Sequence, residues 1–130
     1  MTNIELLEKA RQWANEENDK PEEESQWGQQ SWVEMHDCGT SYCIAGYIVA
    51  QQYGNGVFLL EESAYGPFFR GSYFLTPNGN FHKPIETEAR ELLGITGEEA
   101  DSLFDGSNDI DAINNIVDGL IDQERERTHD

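Results

Sequence analysis

Basic residues are scarce in this chain of 130 residues. Eight Lys and Arg accompany 26 Asp and Glu, which leaves a formal net charge of -18 at pH 7. A surface this negative repels the phosphates of nucleic acids and the headgroups of anionic lipids. We therefore expect no direct binding to nucleic acid or to a membrane. The charge favours a basic protein partner, a high-salt setting or simple solubility.

Long apolar runs are also missing, since no stretch approaches the ~18 apolar residues that cross a bilayer. The first residues, Met1 to Glu5, lack the basic and apolar regions of a signal peptide. We expect a cytoplasmic protein. The two cysteines, Cys38 and Cys43, are then thiols rather than a disulfide.

The aromatic content favours a folded domain over a disordered chain: six Phe, five Tyr and three Trp are present. A chain of this length buries about two thirds of its unfolded surface, which is enough for one ordinary core. We therefore predict a single domain over residues 1–130.

Apolar residues at helical spacing predict a first helix over about 3–17, opened by a capping box of Thr2 and Glu5. Residues 16–31 are polar, acidic and interrupted by Pro21, which predicts an acidic surface loop. From Cys43 to Tyr53 the sequence has no charged residue. Such a helix must be surrounded by other elements, so we predict a central helix over about 41–53.

Short β-like runs and the Asn78-Gly79 turn signal predict a small β-hairpin unit over about 57–83. Three C-terminal helices follow, over about 84–93, 97–104 and 109–123. Gly94 stops the first, a Thr96–Glu99 capping box opens the second, and Asn108 or Asp109 caps the third. Residues 124–130 are predicted to be a frayed tail. The predicted class is α+β, dominated by helices.

A cysteine nucleophile is one hypothesis for a chemical site. Cys38 precedes a predicted helix N-terminus, whose positive partial charge lowers the pKa of a thiol. His36 or His82 would then be the catalytic base. The opposing interpretation is a small, half-buried thiol at a helix start, and we favour it because no base is positioned by the sequence.

Asp37-Cys38-Gly39, the second cysteine five residues later and Tyr53-Gly54 resemble the papain-like peptidase domains of bacteriocin-exporting transporters. The resemblance covers about 17 residues. That family's pattern places a glutamine six residues before the cysteine, where this chain has Trp32. It also places a histidine at the start of an apolar strand, whereas His82 is followed by Lys83 and Pro84. Both departures put a peptidase activity in doubt.

Metal binding is a weaker alternative. His36, Cys38, Cys43 and His82 are donor types that zinc prefers, but their spacing is not a zinc-finger pattern. The run from Asp105 to Asp111 is superficially similar to a calcium loop, yet an EF-hand needs Gly and Glu where this chain has Ile110 and Ile116. We predict neither a metal nor any other cofactor.

The acidic C-terminal region suggests a binding surface. From Pro84 to Glu124 the many carboxylates are accompanied by a single basic residue, Arg90. Carboxylates on solvated helix faces can mimic DNA and occupy the binding site of a nucleic-acid-binding protein. A surface that only keeps the protein soluble is the commoner case. Aromatic residues are candidate contacts as well, because aromatics dominate interface hot spots. The predicted binding residues are Trp27, Trp32, Tyr65, Phe68, Phe69, Asp109, Asp111, Asp118 and Asp122.

Trp32, the Cys-Gly-Thr-x-x-Cys-Ile-Ala-Gly stretch from Cys38 to Gly46 and the stretch from Ala89 to Phe104 occur here in order. In these features the chain resembles a family of small acidic proteins of actinobacteria and their bacteriophages. The resemblance spans most of the chain but not residues 55–80. It implies a phage or mobile-element origin, and the family carries no assigned activity to transfer.

The function we predict is a non-enzymatic phage accessory protein that binds a host or phage protein, basic in character, through an acidic surface. A DNA-mimicking role is one form of that prediction. The alternative is a cysteine-dependent hydrolase that uses Cys38 with His36 or His82.

Overall fold

In the described part of the chain, the named strands belong to one antiparallel sheet, and the helices occupy more residues than the strands do. The computed structural model describes residues 2–21, 25–27, 33–36, 39–54, 58–62, 69–76 and 82–128. Within them the elements are α1 (Ile4–Asn18), β1 (Val33–His36), β2 (Gly39–Tyr42), α2 (Ile44–Tyr53), β3 (Phe58–Glu62), β4 (Phe69–Leu75), β5 (His82–Pro84), α3 (Ile85–Leu93), α4 (Gly97–Leu103) and α5 (Ile110–Thr128). The predicted helix-dominated α+β class is confirmed.

The sheet has the strand order β2-β1-β4-β3, and β5 also pairs with β4. β4 is therefore the central strand. β3 lies along one of its edges, while β1 and β5 share the other edge, β1 beside residues 69–71 and β5 beside residues 73–75. The predicted hairpin unit covers β3 to β5 but does not include β1 and β2, so the observed sheet has more strands than the predicted unit.

Several helix ends follow the predicted capping signals. Thr96 and Glu99 form the capping box of α4, with Glu99 Oε1 accepting from the Thr96 amide at 2.8 Å. Gly94 ends α3 in the left-handed conformation, at φ 69°, and the side chain of Asp109 accepts from the Ala112 amide at 2.8 Å. At α1 the prediction was wrong by one residue, because Asn3 and not Thr2 is the cap.

Two other boundaries correct the predictions. α2 begins at Ile44 rather than near residue 41, because Gly39–Tyr42 extends as a strand paired with β1. α5 continues to Thr128. The tail that was predicted to fray from Glu124 is therefore helical as far as Thr128. Glu124 is buried, which explains why the helix does not end before it.

The core forms where α2 meets its neighbours. α2 packs on α1, α3 and β2, whereas α5 packs on α1 and α4. Burial of each large apolar side chain contributes about 1.5–3 kcal/mol. The buried residues of α2 are Ile44, Ala45, Gly46, Tyr47, Ile48 and Val49. Trp13 of α1 stacks on Tyr47 with ring centroids 4.2 Å apart. The uncharged helix is thus enclosed, as its sequence predicts.

No helix in the described ranges combines the length and hydrophobicity that crossing a membrane requires.

Candidate functional site

Cys43 lies at the N-terminus of α2. Cys43 is the N-cap residue of α2. It is 1% exposed. Burial raises its pKa to about 12, against backbone hydrogen bonds that act to lower it. Because the thiolate is the reactive species, Cys43 is inert near neutral pH.

The helix that was predicted to begin just after Cys38 begins six residues later in the chain. The first helical residue is Ile44, so the helix amides expected to lower the pKa of Cys38 lie beside Cys43 instead. Cys38 itself lies outside the described residues, as does the side chain of His36. The cysteine-hydrolase hypothesis therefore loses the helix N-terminus on which its activation step depended.

The two histidines proposed as partners of Cys38 lie far apart along β4. Met35 pairs with Phe69, while His82 pairs with Leu75. Phe69 and Leu75 are six residues apart along β4, about 20 Å at ~3.3 Å per residue. His36 continues β1 beyond Met35, away from β5, so His36 and His82 cannot bind the same metal ion.

Of the four donors predicted for a metal site (His36, Cys38, Cys43 and His82), Cys38 and the side chain of His36 lie outside the described residues. Among the described residues, no group of three or more His, Cys, Asp or Glu side chains is placed to hold a metal ion. Asp105, the first residue of the calcium-like run, instead accepts from both the amide and the hydroxyl of Ser107, at 2.8 and 2.7 Å. These hydrogen bonds lower the pKa of the Asp105 carboxyl and fix a turn.

Trp27 takes part in packing. It is half-buried against the core and forms a β-bridge with Tyr42. The neighbouring Gln26 carbonyl accepts from the Tyr42 amide at 2.6 Å. Of the other predicted aromatic contacts, Trp32, Tyr65 and Phe68 lie outside the described residues. Phe69 lies in β4, and its side chain is outside the described part.

Glu17 holds the Trp27 segment against α1. Its side chain is buried, and Oε1 accepts from the Gln26 amide at 2.8 Å. Lys20 Nζ lies 2.5 Å from the other carboxylate oxygen, Oε2. Glu17 falls where the predicted first helix (3–17) and the predicted acidic surface loop (16–31) overlap, and it is the last buried position of α1.

The predicted acidic contacts on α5 are all exposed. Asp111, Asp118 and Asp122 are seven and four residues apart, a spacing that places them on one side of a helix. We call these three residues the α5 acidic face. The opposite side of α5 supplies core residues, among them Ile113 and Val117, and this packing holds the carboxylates outward.

The aspartates of α5 differ in their bonding. Asp109 caps the helix, and Asp118 forms an ion pair with Arg11 of α1. Among the described residues, none forms an ion pair with Asp111 or Asp122. These two carboxylates are the members of the α5 acidic face best placed to meet a cation from another molecule.

A polar cluster that was not predicted from the sequence joins α2, β5 and α3. Lys83 Nζ donates to Glu88 Oε1 at 2.7 Å and to Glu91 Oε2 at 2.6 Å. The hydroxyl of Tyr53 donates to the other oxygen of Glu88. Burial acts to raise the pKa of Glu88, but the hydrogen bonds from Lys83 and Tyr53 outweigh it and lower the pKa overall.

This cluster is a structural tie between three elements. The carboxylate of Glu88 is stabilised from both sides, and the same contacts raise the pKa of Lys83, so the charged pair persists around neutral pH. The one sequence signal is the position of Glu88 and Glu91 a single helical turn apart, close after Lys83. That spacing does not identify Tyr53, which is 35 residues away from Glu88.

Comparison of the chain with protein-family models, curated proteins and solved structures gives no match.

Proposed function

We propose that the protein is a non-enzymatic binding protein that engages a basic protein partner through the α5 acidic face. The observation that supports this most directly is the exposure of Asp111, Asp118 and Asp122 on one side of a helix whose other side is anchored in the core. The net charge of -18 acts in the same direction.

Electrostatics then determines how the partner arrives. A protein with this net charge attracts cationic molecules over several ångströms and speeds their association, an effect that falls as salt screens it. Charges at the rim of an interface act mainly on the association rate and on specificity. We therefore expect binding that weakens steeply with ionic strength.

DNA mimicry is the narrower form of the proposal. Along the axis of α5, Asp118 and Asp122 are about 6 Å apart and Asp111 and Asp118 about 10 Å apart, from a rise of about 1.5 Å per residue. Duplex DNA carries one charge per ~1.7 Å of axis. α5 alone is sparser than DNA, so a mimic needs the other exposed acidic residues, such as Glu98 and Asp101 of α4.

A phage accessory role in the host cytoplasm completes the proposal. Its support is the sequence resemblance to actinobacterial and phage proteins in the segments from Cys38 to Gly46 and from Ala89 to Phe104. The partner would then be a basic protein of the host or of the phage itself.

Affinity capture from an actinobacterial lysate tests this function. Wild-type protein and an Asp111→Asn/Asp122→Asn variant are compared at low and high salt, and captured proteins are identified by mass spectrometry. A basic protein retained at low salt by the wild type, and reduced about tenfold with the variant, agrees with the proposal. Equal retention by both proteins, or no retained protein at any salt, contradicts it. Competition by duplex DNA separates DNA mimicry from binding of any other basic partner.

A further inference from the structure

No further inference is drawn: the strongest candidate, the outward face of β4 and β5 on which Tyr73 and Leu75 are exposed beside His82 and Pro84, is an apolar patch, and nothing in the structure shows what covers it.

Discussion

At the scale of single residues, the thiol of Cys43 is controlled by burial. Its pKa of about 12 leaves the thiolate almost unpopulated near neutral pH, and the side chain has almost no contact with solvent. The fold thereby protects a cysteine at a position, the N-cap of a helix, that elsewhere activates one.

A Cys38→Ala variant, in which Cys43 is the sole cysteine, tests this protection. We expect a chromogenic disulfide reagent at pH 8 to label less than about a tenth of the protein in the time that labels a model thiol completely. In denaturant, one thiol per chain should react. Rapid labelling of the native variant would show that Cys43 is accessible and that its described burial is wrong.

Because folding raises the pKa of Cys43 above its ordinary value of 9.0, the folded state binds the proton more tightly than the unfolded state. The stabilisation of the folded state that this raised pKa provides is fully present below pH 9 and is lost as pH rises toward 12. This residue therefore adds an alkaline limit to stability.

Glu88 makes the stability of the folded protein depend on pH in the acidic range. Its pKa is lowered in the folded state, so its contribution is present above the ordinary value of 4.5 and is lost as pH falls through the lowered folded value. We expect Glu88→Gln to destabilise the protein by about 1–3 kcal/mol at pH 7, because Lys83 loses a buried charged partner. Urea unfolding followed by circular dichroism measures the change.

Glu91→Gln is the matched control, since it removes the other carboxylate bound to Lys83. The side chain of Glu91 is 54% exposed, so water replaces its contact and the loss should be well under half that of Glu88→Gln. The acid dependence below pH 4.5 should also be shallower in Glu88→Gln than in the wild type. Equal effects of the two variants would contradict the assignment of Glu88 as the buried centre of the cluster.

At the scale of elements, two glycines allow a paired test of helix geometry. Gly119 lies exposed inside α5, and a Cβ added there meets no atom within 4 Å. Gly94 ends α3 at φ 69°, a conformation that residues with a Cβ rarely adopt.

We expect Gly119→Ala to stabilise the protein by about 0.5–1 kcal/mol, the cost of glycine in a helix interior. Gly94→Ala should destabilise it by about 1 kcal/mol or more. Denaturant midpoints at constant slope measure both changes. Destabilisation by Gly119→Ala would mean that α5 is not a continuous helix at that position.

The helices were predictable from sequence because their signals are local. The Thr96–Glu99 capping box, the stop at Gly94 and the cap at Asp109 each involve residues within one turn of each other. β1 and β2 form a local hairpin, in which Val33 pairs with Tyr42 and His36 with Gly39. The place of this hairpin in the sheet was not predictable in the same way, because Val33 to Met35 also pair with Phe69 to Gly71, more than 30 residues later. The uncharged run after Cys43 also favoured extending α2 backwards into what is strand.

In the candidate site, too, features with a local sequence signal were predictable, and features that depend on packing between elements were not. The exposure of Asp111, Asp118 and Asp122 follows from the helical period, so the sequence was sufficient to predict it. The bonding of Asp118 to Arg11 depends on how α5 packs on α1, and the Tyr53–Glu88 contact depends on how α2 packs on α3. Neither arrangement has a periodic signature.

At the scale of the whole molecule, the charge of -18 affects stability as well as binding. Self-repulsion among carboxylates destabilises the compact state, and salt screens it over a Debye length that falls from ~30 Å at 0.01 M to ~3 Å at 1 M. We expect the melting temperature to rise by several degrees between 10 mM and 0.5 M NaCl. Differential scanning fluorimetry measures it, and a melting temperature that falls over this range would contradict net repulsion.

The affinity for a purified basic partner, measured by isothermal titration calorimetry at several salt concentrations, tests the proposed role of the α5 acidic face most directly. The wild type is compared with Asp111→Asn/Asp122→Asn and with Glu5→Gln/Asp19→Asn. The second variant removes one exposed charge from α1 and one from its C-cap residue, and it matches the first variant in net charge. We predict that the α5 variant binds about tenfold more weakly with a shallower salt dependence, while the α1 variant stays within about threefold of the wild type. Equal losses in the two variants would show that net charge alone drives binding and would contradict a role for this face.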